Sequence, residues 1–198
     1  MGTLIYEYLK NSSTIYGIDI KQKENIDTYQ SLNEIKDIDL IIDFSTTDSF
    51  NHLIEGIKRR VPVFSGTTGY TKEQIEFLYN LSKEYNTIFV SKPNFAKGIK
   101  LFSKILKECK EEFKILDFVE IHETTKKDSP SGTSIMLAEI LDINKGDIQS
   151  IRLNFTPAIH ELIFYSESER ITLKHEIFNK KAFIIGLIEE INKFGVDV

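Results

Sequence analysis

The strongest constraint on the fold is an alternation of strand-like and helix-like patterns through the first half of the chain. Strand-like runs occur at 14–20, 38–44, 61–64 and 87–90, and amphipathic helical patterns occur at 49–60 and 71–85. Strands that alternate with helices of about a dozen residues are typical of right-handed βαβ units and a parallel sheet. The continuous apolar run at 38–44 indicates a strand buried on both faces, and Thr71 is the expected N-cap of the second helix.

The pattern changes near Asn94 and Phe95. A long amphipathic helix is predicted over 97–113, then a strand over 114–122 and a helix over 131–141. Apolar residues then recur at every second position, which predicts antiparallel strands over 148–155, 160–166 and 170–178, before a last helix at 181–193. The chain is therefore predicted to be α/β in its first half and α+β in its second.

Composition and charge exclude several classes of partner. The net charge is −5, and the 25 basic residues are scattered among 30 acidic ones, so no basic patch indicates nucleic acid. The apolar runs are too short to span a bilayer, and residues 1–10 lack the pattern of a signal peptide. A single cysteine, Cys109, allows no internal disulfide and fits a reducing compartment. We therefore expect a cytoplasmic protein that binds neither nucleic acid nor membrane.

Candidate nucleotide-binding residues follow three of the predicted strands. Backbone N–H groups at the carboxyl ends of parallel strands bind the phosphates of dinucleotides, and the glycines of 66–69 permit a tight turn there. Asp19 ends the first predicted strand, where an acid accepts hydrogen bonds from ribose hydroxyls and favours NADH. Lys21 and Lys23 could instead neutralise a 2′-phosphate, so NADPH stays open. The candidates at the strand ends are Phe44, Gly66, Thr67, Thr68, Lys92, Pro93, Asn94 and Phe95.

The glycine-rich loop of a dinucleotide fold does not occur in this sequence. Residues 1–9 read as the helix that follows such a loop, with Gly2 as the last glycine of the motif. We therefore expect this chain to lack the first strand and most of the pyrophosphate cradle, and to bind NAD(P)H weakly.

The segment 120–133 reads E-I-H-E-T-T-K-K-D-S-P-S-G-T and carries the candidate catalytic residues. His122 can donate a proton, Lys126 is a cation, and a helix N-terminus at 131–133 suits an anion. Hydride addition to a conjugated substrate leaves negative charge that such groups can stabilise and protonate. The segment therefore predicts a site for a small dicarboxylate.

The chain resembles the dihydrodipicolinate reductase family, also called 4-hydroxy-tetrahydrodipicolinate reductase, over essentially its whole length. The family pattern around the centre is E-x-H-H-x-x-K-x-D-A-P-S-G-T, and 120–133 matches most of it. The other landmarks occur in family order: Met1-Gly2, Asp43-Phe44-Ser45, Gly66-Thr67-Thr68-Gly69, Asn94-Phe95, His160, His175 and Gly186.

The resemblance implies hydride transfer from NADH or NADPH to a cyclic imine dicarboxylate in diaminopimelate and lysine synthesis. His122 matches the catalytic histidine and Lys126 the proton-donating lysine, while Ser131, Gly132 and Thr133 match the segment that holds a substrate carboxylate. It also implies a homotetramer of two-domain subunits. A Rossmann-like nucleotide-binding domain would comprise 1–94 with 180–198, and an α+β substrate-binding and oligomerisation domain with an open mixed sheet would comprise 95–179.

Three departures from the family pattern bear on function. Glu123 replaces the second histidine and is expected to repel a dianionic substrate, by about 1–4 kcal/mol at contact distance. Lys180 replaces an arginine of the nucleotide-binding set and loses its bidentate geometry, and 154–160 contains no glycine. His160 and His175 are expected to be structural residues, and no metal site is predicted because the histidines lack a local ligand spacing.

Two alternatives to this enzyme remain open from the sequence. One is a degenerate, non-catalytic relative that serves as a binding or assembly subunit, which the missing loop and Glu123 favour. The other is an NAD(P)-dependent reductase of the same architecture that acts on a different small acid.

Overall fold

The chain forms two compact units in a computed structural model that describes residues 1–113, 115–154, 158–196 and 198. One unit comprises 1–92 and 187–198, and the other comprises 93–186. The predicted strand ends at Lys114 and Phe155 lie outside the described residues, as do Thr156 and Pro157 of the segment without glycine. No helix in the described part of the chain is long and apolar enough to cross a membrane.

The first unit is built from short parallel strands and helices, as the sequence predicts. Its strands lie in two sheets, with β1 beside β2 in one and the order β3-β4-β5 in the other, and all neighbours are parallel. The short strand β2 was not predicted, because its three residues show no apolar alternation. The elements are α1 (Gly2–Leu9), β1 (Tyr16–Ile18), β2 (Asp27–Tyr29), β3 (Ile41–Asp43), α2 (Phe50–Lys58), β4 (Val63–Ser65), α3 (Lys72–Glu84) and β5 (Phe89–Ser91).

The core of the first unit lies between helices α2 and α3 and the three-stranded sheet. Leu53, Ile57 and Leu78 are almost fully buried against Val63 and Phe89. Strand β4 is central and completely buried, whereas the apolar residues of β3 are only half-buried. The prediction that β3 is buried on both faces was wrong, because β3 lies at the edge of its sheet.

Helix α3 begins where the sequence predicts. The Thr71 hydroxyl accepts a hydrogen bond from the Gln74 N–H, and the Gln74 side chain accepts one from the Thr71 N–H. This reciprocal capping box satisfies two backbone donors that a helix start leaves without intrahelical partners.

The second unit contains an open mixed sheet with the order β7-β6-β8-β9. Strands β6 and β7 are parallel, and the other two pairs are antiparallel. The open mixed sheet confirms the predicted α+β half, but the prediction that β7 is antiparallel was wrong: helix α5 is a crossover that returns the chain in the same direction. The elements are α4 (Lys97–Glu112), β6 (Ile115–Glu123), α5 (Gly132–Leu141), β7 (Ile148–Leu153), β8 (Ala158–Tyr165) and β9 (Arg170–Ile177). The last helix, α6 (Lys181–Lys193), begins in this unit, and its residues from Leu187 onward belong to the first.

Helices α4 and α5 contribute to a core with one face of this sheet. Leu106 and Leu137 are fully buried in a cluster with Phe118, Leu162 and Phe164. Because alternate residues of a strand point to the same face, Glu120 and His122 continue the face that Phe118 begins. On this face of the sheet, the apolar core is therefore continuous with the buried polar side chains of Glu120 and His122.

Helix α6 passes the start of α4 at a point where only glycine fits. A Cβ atom added to Gly186 would lie 1.9 Å from the Phe95 carbonyl oxygen. Gly186→Ala should therefore force the backbone apart and lower the free energy of unfolding by about 1–3 kcal/mol. The measurement is urea denaturation beside Gly146→Ala, where the added atom would meet only the Asn144 Oδ1 at 3.6 Å. Equal losses in the two variants would contradict the steric explanation.

Candidate active site

The centre of the site is the carboxylate of Glu120, which is completely buried on β6. It accepts hydrogen bonds from the Ser131 N–H at 3.1 Å, the Ser134 hydroxyl at 2.6 Å and the Ser150 hydroxyl at 2.7 Å. The Arg152 guanidinium lies 3.1 Å from its Oε1. One carboxylate thus joins β6, β7 and the N-terminus of α5.

His122 lies on the same face of β6 and is 8% exposed. Its Nδ1 is 3.3 Å from the Glu120 Oε2. Burial by itself would raise the pKa of Glu120, but the contact with the His122 imidazole and the hydrogen bonds from the surrounding serines hold that pKa well below its usual range. A permanently charged carboxylate beside the imidazole would orient His122.

A second carboxylate marks an anion-binding position in the loop before α5. Lys126 Nζ lies 2.6 Å from the Asp128 Oδ1, and the Gly132 N–H donates to the Asp128 Oδ2 at 3.3 Å. Burial raises the pKa of Asp128, but the hydrogen bond and charge of Lys126 outweigh it and lower that pKa. A cation and a helix N-terminus therefore converge on one carboxylate, which is the arrangement that a carboxylate ligand requires.

Arg152 holds this loop in place. Its guanidinium donates to the carbonyl oxygens of Lys126 at 3.3 Å and Asp128 at 2.6 Å, in addition to its contact with Glu120. Sequence reasoning missed Arg152 because the alternation in β7 shows only that it shares a face with Ser150. Asp128 and Glu120 were visible in the motif, and the i, i+2 spacing of Glu120 and His122 on a strand was the available signal.

The first turn of α5 contains the other predicted substrate residues. Ser131 is the N-cap and accepts from the Ser134 N–H. The Thr133 hydroxyl accepts from the Asn94 side-chain amide at 3.1 Å, and the Asn94 Oδ1 accepts from the Ala96 N–H. Asn94 was predicted to line the nucleotide, and the structure places its side chain against the start of α5.

Glu123 and Lys180 form an ion pair with an N–O distance of 3.0 Å. The hydrogen bond and charge of Lys180 lower the pKa of Glu123. Glu123 and Lys180, which both depart from the family pattern, are therefore in contact, and the Lys180 ammonium offsets the negative charge of Glu123. The expected repulsion of an anionic ligand by Glu123 is reduced accordingly.

This pair leads to a prediction about ligand binding. Lys180→Ala should weaken binding of a pyridine dicarboxylate a few-fold at low salt, because it leaves Glu123 uncompensated. Adding Glu123→Gln should restore the affinity, and high salt should reduce the difference because both side chains are exposed. The measurement is a titration of both variants and the unaltered chain. An equal loss in the single and double variants would mean that Lys180 contacts the ligand itself.

The structure brings together the predicted nucleotide residues that follow β3 and β4. The Phe44 ring covers Gly66, where an added Cβ would lie 2.2 Å from the ring. The Ser45 N–H donates to the Thr67 hydroxyl at 2.9 Å, and Thr68 is exposed beside it. These loops provide backbone donors and small side chains at neighbouring carboxyl ends of parallel strands, which fits a dinucleotide.

The other predicted nucleotide residues have different surroundings. Lys92, which precedes Pro93, lies 2.6 Å from Glu190. The Asp19 carboxylate accepts from the Lys21 N–H and lies 3.1 Å from the Lys23 ammonium, and these contacts lower its pKa. Gly2 is exposed at the start of α1, and Phe95 is buried beneath Gly186. Asp19 follows β1, in a different sheet from β3 and β4.

Comparisons with known proteins match both halves of the chain. The family model described as dihydrodipicolinate reductase, N-terminus, matches 3–95, and the one described as dihydrodipicolinate reductase, C-terminus, matches 96–197. A 4-hydroxy-tetrahydrodipicolinate reductase of Rickettsia bellii is 34% identical over 95% of this chain and 82% of the relative. The corresponding protein of Rickettsia africae is 32% identical over 95% of this chain and 85% of the relative.

A solved structure shares the fold. It is the dipicolinate-bound dihydrodipicolinate reductase from Paenisporosarcina sp. TG-14, with a TM-score of 0.70 and 24% identity, covering 88% of this chain and 77% of that one. The chain thus has parallel-strand loops of the dinucleotide-binding type in one unit and, in the other, a helix N-terminus that binds the carboxylate of its own Asp128. The chain belongs to the dihydrodipicolinate reductase family.

Proposed function

We propose that this protein reduces 4-hydroxy-tetrahydrodipicolinate to tetrahydrodipicolinate with NADH or NADPH, in the synthesis of diaminopimelate and lysine. Membership of the family and the names of its relatives support the reaction. The observation in this chain that carries it is the Asp128 carboxylate, held by Lys126 and the N-terminus of α5 in the same motif as His122. The first unit would bind the nucleotide and the second the substrate.

The chemistry assigns a role to each group of the site. Loss of the 4-hydroxyl of the substrate as water would give the conjugated imine, and the bound nucleotide would supply a hydride to it. A substrate carboxylate would take the position of the Asp128 carboxylate at Gly132, with Thr133 beside it, and Lys126 would compensate its charge. His122, oriented by Glu120, and Lys126 would stabilise the developing negative charge and deliver the proton that completes the reduction.

The test is an assay that follows NADH or NADPH absorbance with freshly generated substrate. The expected result is oxidation of the nucleotide that depends on both the substrate and His122. Binding of a pyridine dicarboxylate without turnover would support a non-catalytic relative instead. Turnover only with a different small acid would support another reductase of the same architecture.

The role proposed for Lys126 can be tested by comparing its alanine variant with that of the neighbouring Lys127. Lys126→Ala should lower kcat by about 10²-fold, because it removes a charge aimed at the developing anion, and should leave nucleotide affinity unchanged. Lys127→Ala is the control, because this neighbouring lysine is exposed. Loss of NADH binding with normal chemistry in Lys126→Ala would show that the role is wrongly assigned.

We also propose that the protein is a cytoplasmic homotetramer. The sheet face opposite α4 and α5 carries partly exposed apolar side chains at Val119, Ile121, Ile151 and Ile163. Burial of such a face between subunits is a usual source of stability in homo-oligomers. Light scattering coupled to gel filtration should give four chains per particle, and Ile151→Lys should reduce that number if the face is an interface.

A further inference from the structure

Four imidazole nitrogens in the second unit are buried without a hydrogen-bond partner among the described residues. They are the Nδ1 of His122, both nitrogens of His160 and the Nδ1 of His175. His160 is 1% exposed, so solvent does not satisfy its two nitrogens. Buried polar atoms in proteins nearly always have a partner, because leaving one unpaired costs about 1–3 kcal/mol. We therefore expect a polar ligand or an ion to bind these imidazole nitrogens.

The register of the sheet brings these side chains together. Glu120 on β6 is directly opposite His160 on β8, and His160 is directly opposite His175 on β9. His122 follows Glu120 by two residues on the same face, and its ring lies 5.4 Å from that of His160 at 74°. One ligand atom from each of Glu120, His122 and His160 lies within 4.8 Å of the others.

We propose that Glu120, His122 and His160 bind one divalent transition-metal ion of the Zn²⁺ type. Two imidazoles and one carboxylate are a ligand set that Zn²⁺ uses with a fourth position left open. Two nitrogen ligands of three select against Mg²⁺ and Ca²⁺, which prefer oxygen. The site is distinct from the anion position at Asp128 in its ligands and in the charge that it binds.

One oxygen of the Glu120 carboxylate is directed at the proposed metal position. The Arg152 contact is on the Oε1 of Glu120, whereas the Oε2 faces His122. The Ser134 hydroxyl that donates to this Oε2 lies 2.9 Å from the Ser131 hydroxyl and can turn to donate there. The Ser131 N–H, at 3.1 Å, then stays as the donor to this oxygen, and the second lone pair of the oxygen can face a cation.

Binding of the ion would also affect the proposed reaction. A metal ion on the Nδ1 of His122 would compete with the proton of that imidazole, so loading with Zn²⁺ should slow reduction. This consequence rests on the proposed function, whereas metal binding itself does not. The two ideas are therefore tested by different measurements.

The first test is a competition titration of the chelator-treated full chain against a chromophoric Zn²⁺ chelator. We expect one Zn²⁺ per chain, with no displacement by excess Mg²⁺. His160→Gln should weaken binding by more than about 100-fold, beyond the 10–100-fold that loss of a supporting residue costs. His52→Gln is the matched control, because it removes an imidazole from helix α2 in the other unit. Absence of Zn²⁺ binding to the unaltered chain, or equal binding to a folded His160→Gln chain, would overturn the proposal.

A second measurement does not depend on the folding of a variant. X-ray absorption of the Zn²⁺-loaded, unaltered chain should show two imidazole ligands and carboxylate oxygen. Fewer than two imidazoles would place the ion elsewhere and overturn the assignment. If the orphaned nitrogens are instead bridged by a buried water, the chain will take up no Zn²⁺ in the first test.

Discussion

His122→Ala should lower kcat by about 10³-fold, within the range of about 10²–10⁴ that loss of a general acid costs. The imidazole is almost buried and lies against the charged carboxylate of Glu120, so solvent water is a poor substitute. Nucleotide affinity should stay close to that of the unaltered chain, because the role assigned to His122 is proton delivery to the substrate. Steady-state kinetics and a fluorescence titration with NADH separate these effects.

The control for this variant is His52→Ala, which removes a half-buried imidazole from the first unit and should change neither quantity. Both variants should be assayed after chelator treatment, so that metal inhibition does not contribute. Near-normal turnover in His122→Ala would remove this residue from the mechanism and leave Lys126 as the proton donor.

Glu120→Ala should produce the largest loss of stability, about 3–5 kcal/mol in the free energy of unfolding. The change leaves the Arg152 guanidinium without its buried counter-charge and removes the acceptor of Ser131, Ser134 and Ser150. Breaking a buried pair on one side is costly because the remaining charge stays desolvated. Urea denaturation in the presence of a chelator measures the effect.

Two further variants test whether the loss of stability in Glu120→Ala comes from the buried charge of Glu120. Glu120→Gln keeps the shape and one acceptor but loses the charge, so its loss should be intermediate. Asp117→Ala removes an exposed carboxylate from the same strand, where it accepts from the Tyr165 hydroxyl, and should cost about 1 kcal/mol or less. If Glu120→Ala were no worse than Asp117→Ala, the Glu120 network would contribute little to folding.

Most elements of the fold could be predicted because their signals are local. The capping box at Thr71 and the N-cap at Ser131 occur where the residue types place them. The burial of β3 and the direction of β7 were wrongly predicted. Both depend on which strands lie alongside, and a strand's own sequence does not contain that information.

The residues of the candidate site could also be predicted in part, where their signals are local, whereas their long-range contacts could not. His122, Lys126 and the helix start at 131–133 lie within one short segment of the sequence. Their residue types and their order therefore indicated acid–base chemistry and an anion site. The ion pair of Glu123 with Lys180 joins residues 57 positions apart, so its neutralising effect had no sequence signal. The prediction that there is no metal site was based on ligand spacing along the chain, whereas the three residues of the proposed site lie on two adjacent strands.

By itself, then, the sequence determined the helices, most of the strands, the family and the residue types of the catalytic segment, since these depend on short-range periodicity and on motifs. The tertiary structure alone decided that Glu120 lies opposite His160, that Arg152 reaches Glu120 and the loop, and that Asp128 occupies the anion position. The physical reason is that strand register and loop closure depend on hydrogen bonds and packing between distant segments. A shift of β8 by one residue would turn His160 to the other face of the sheet and leave Glu120 and His122 without it.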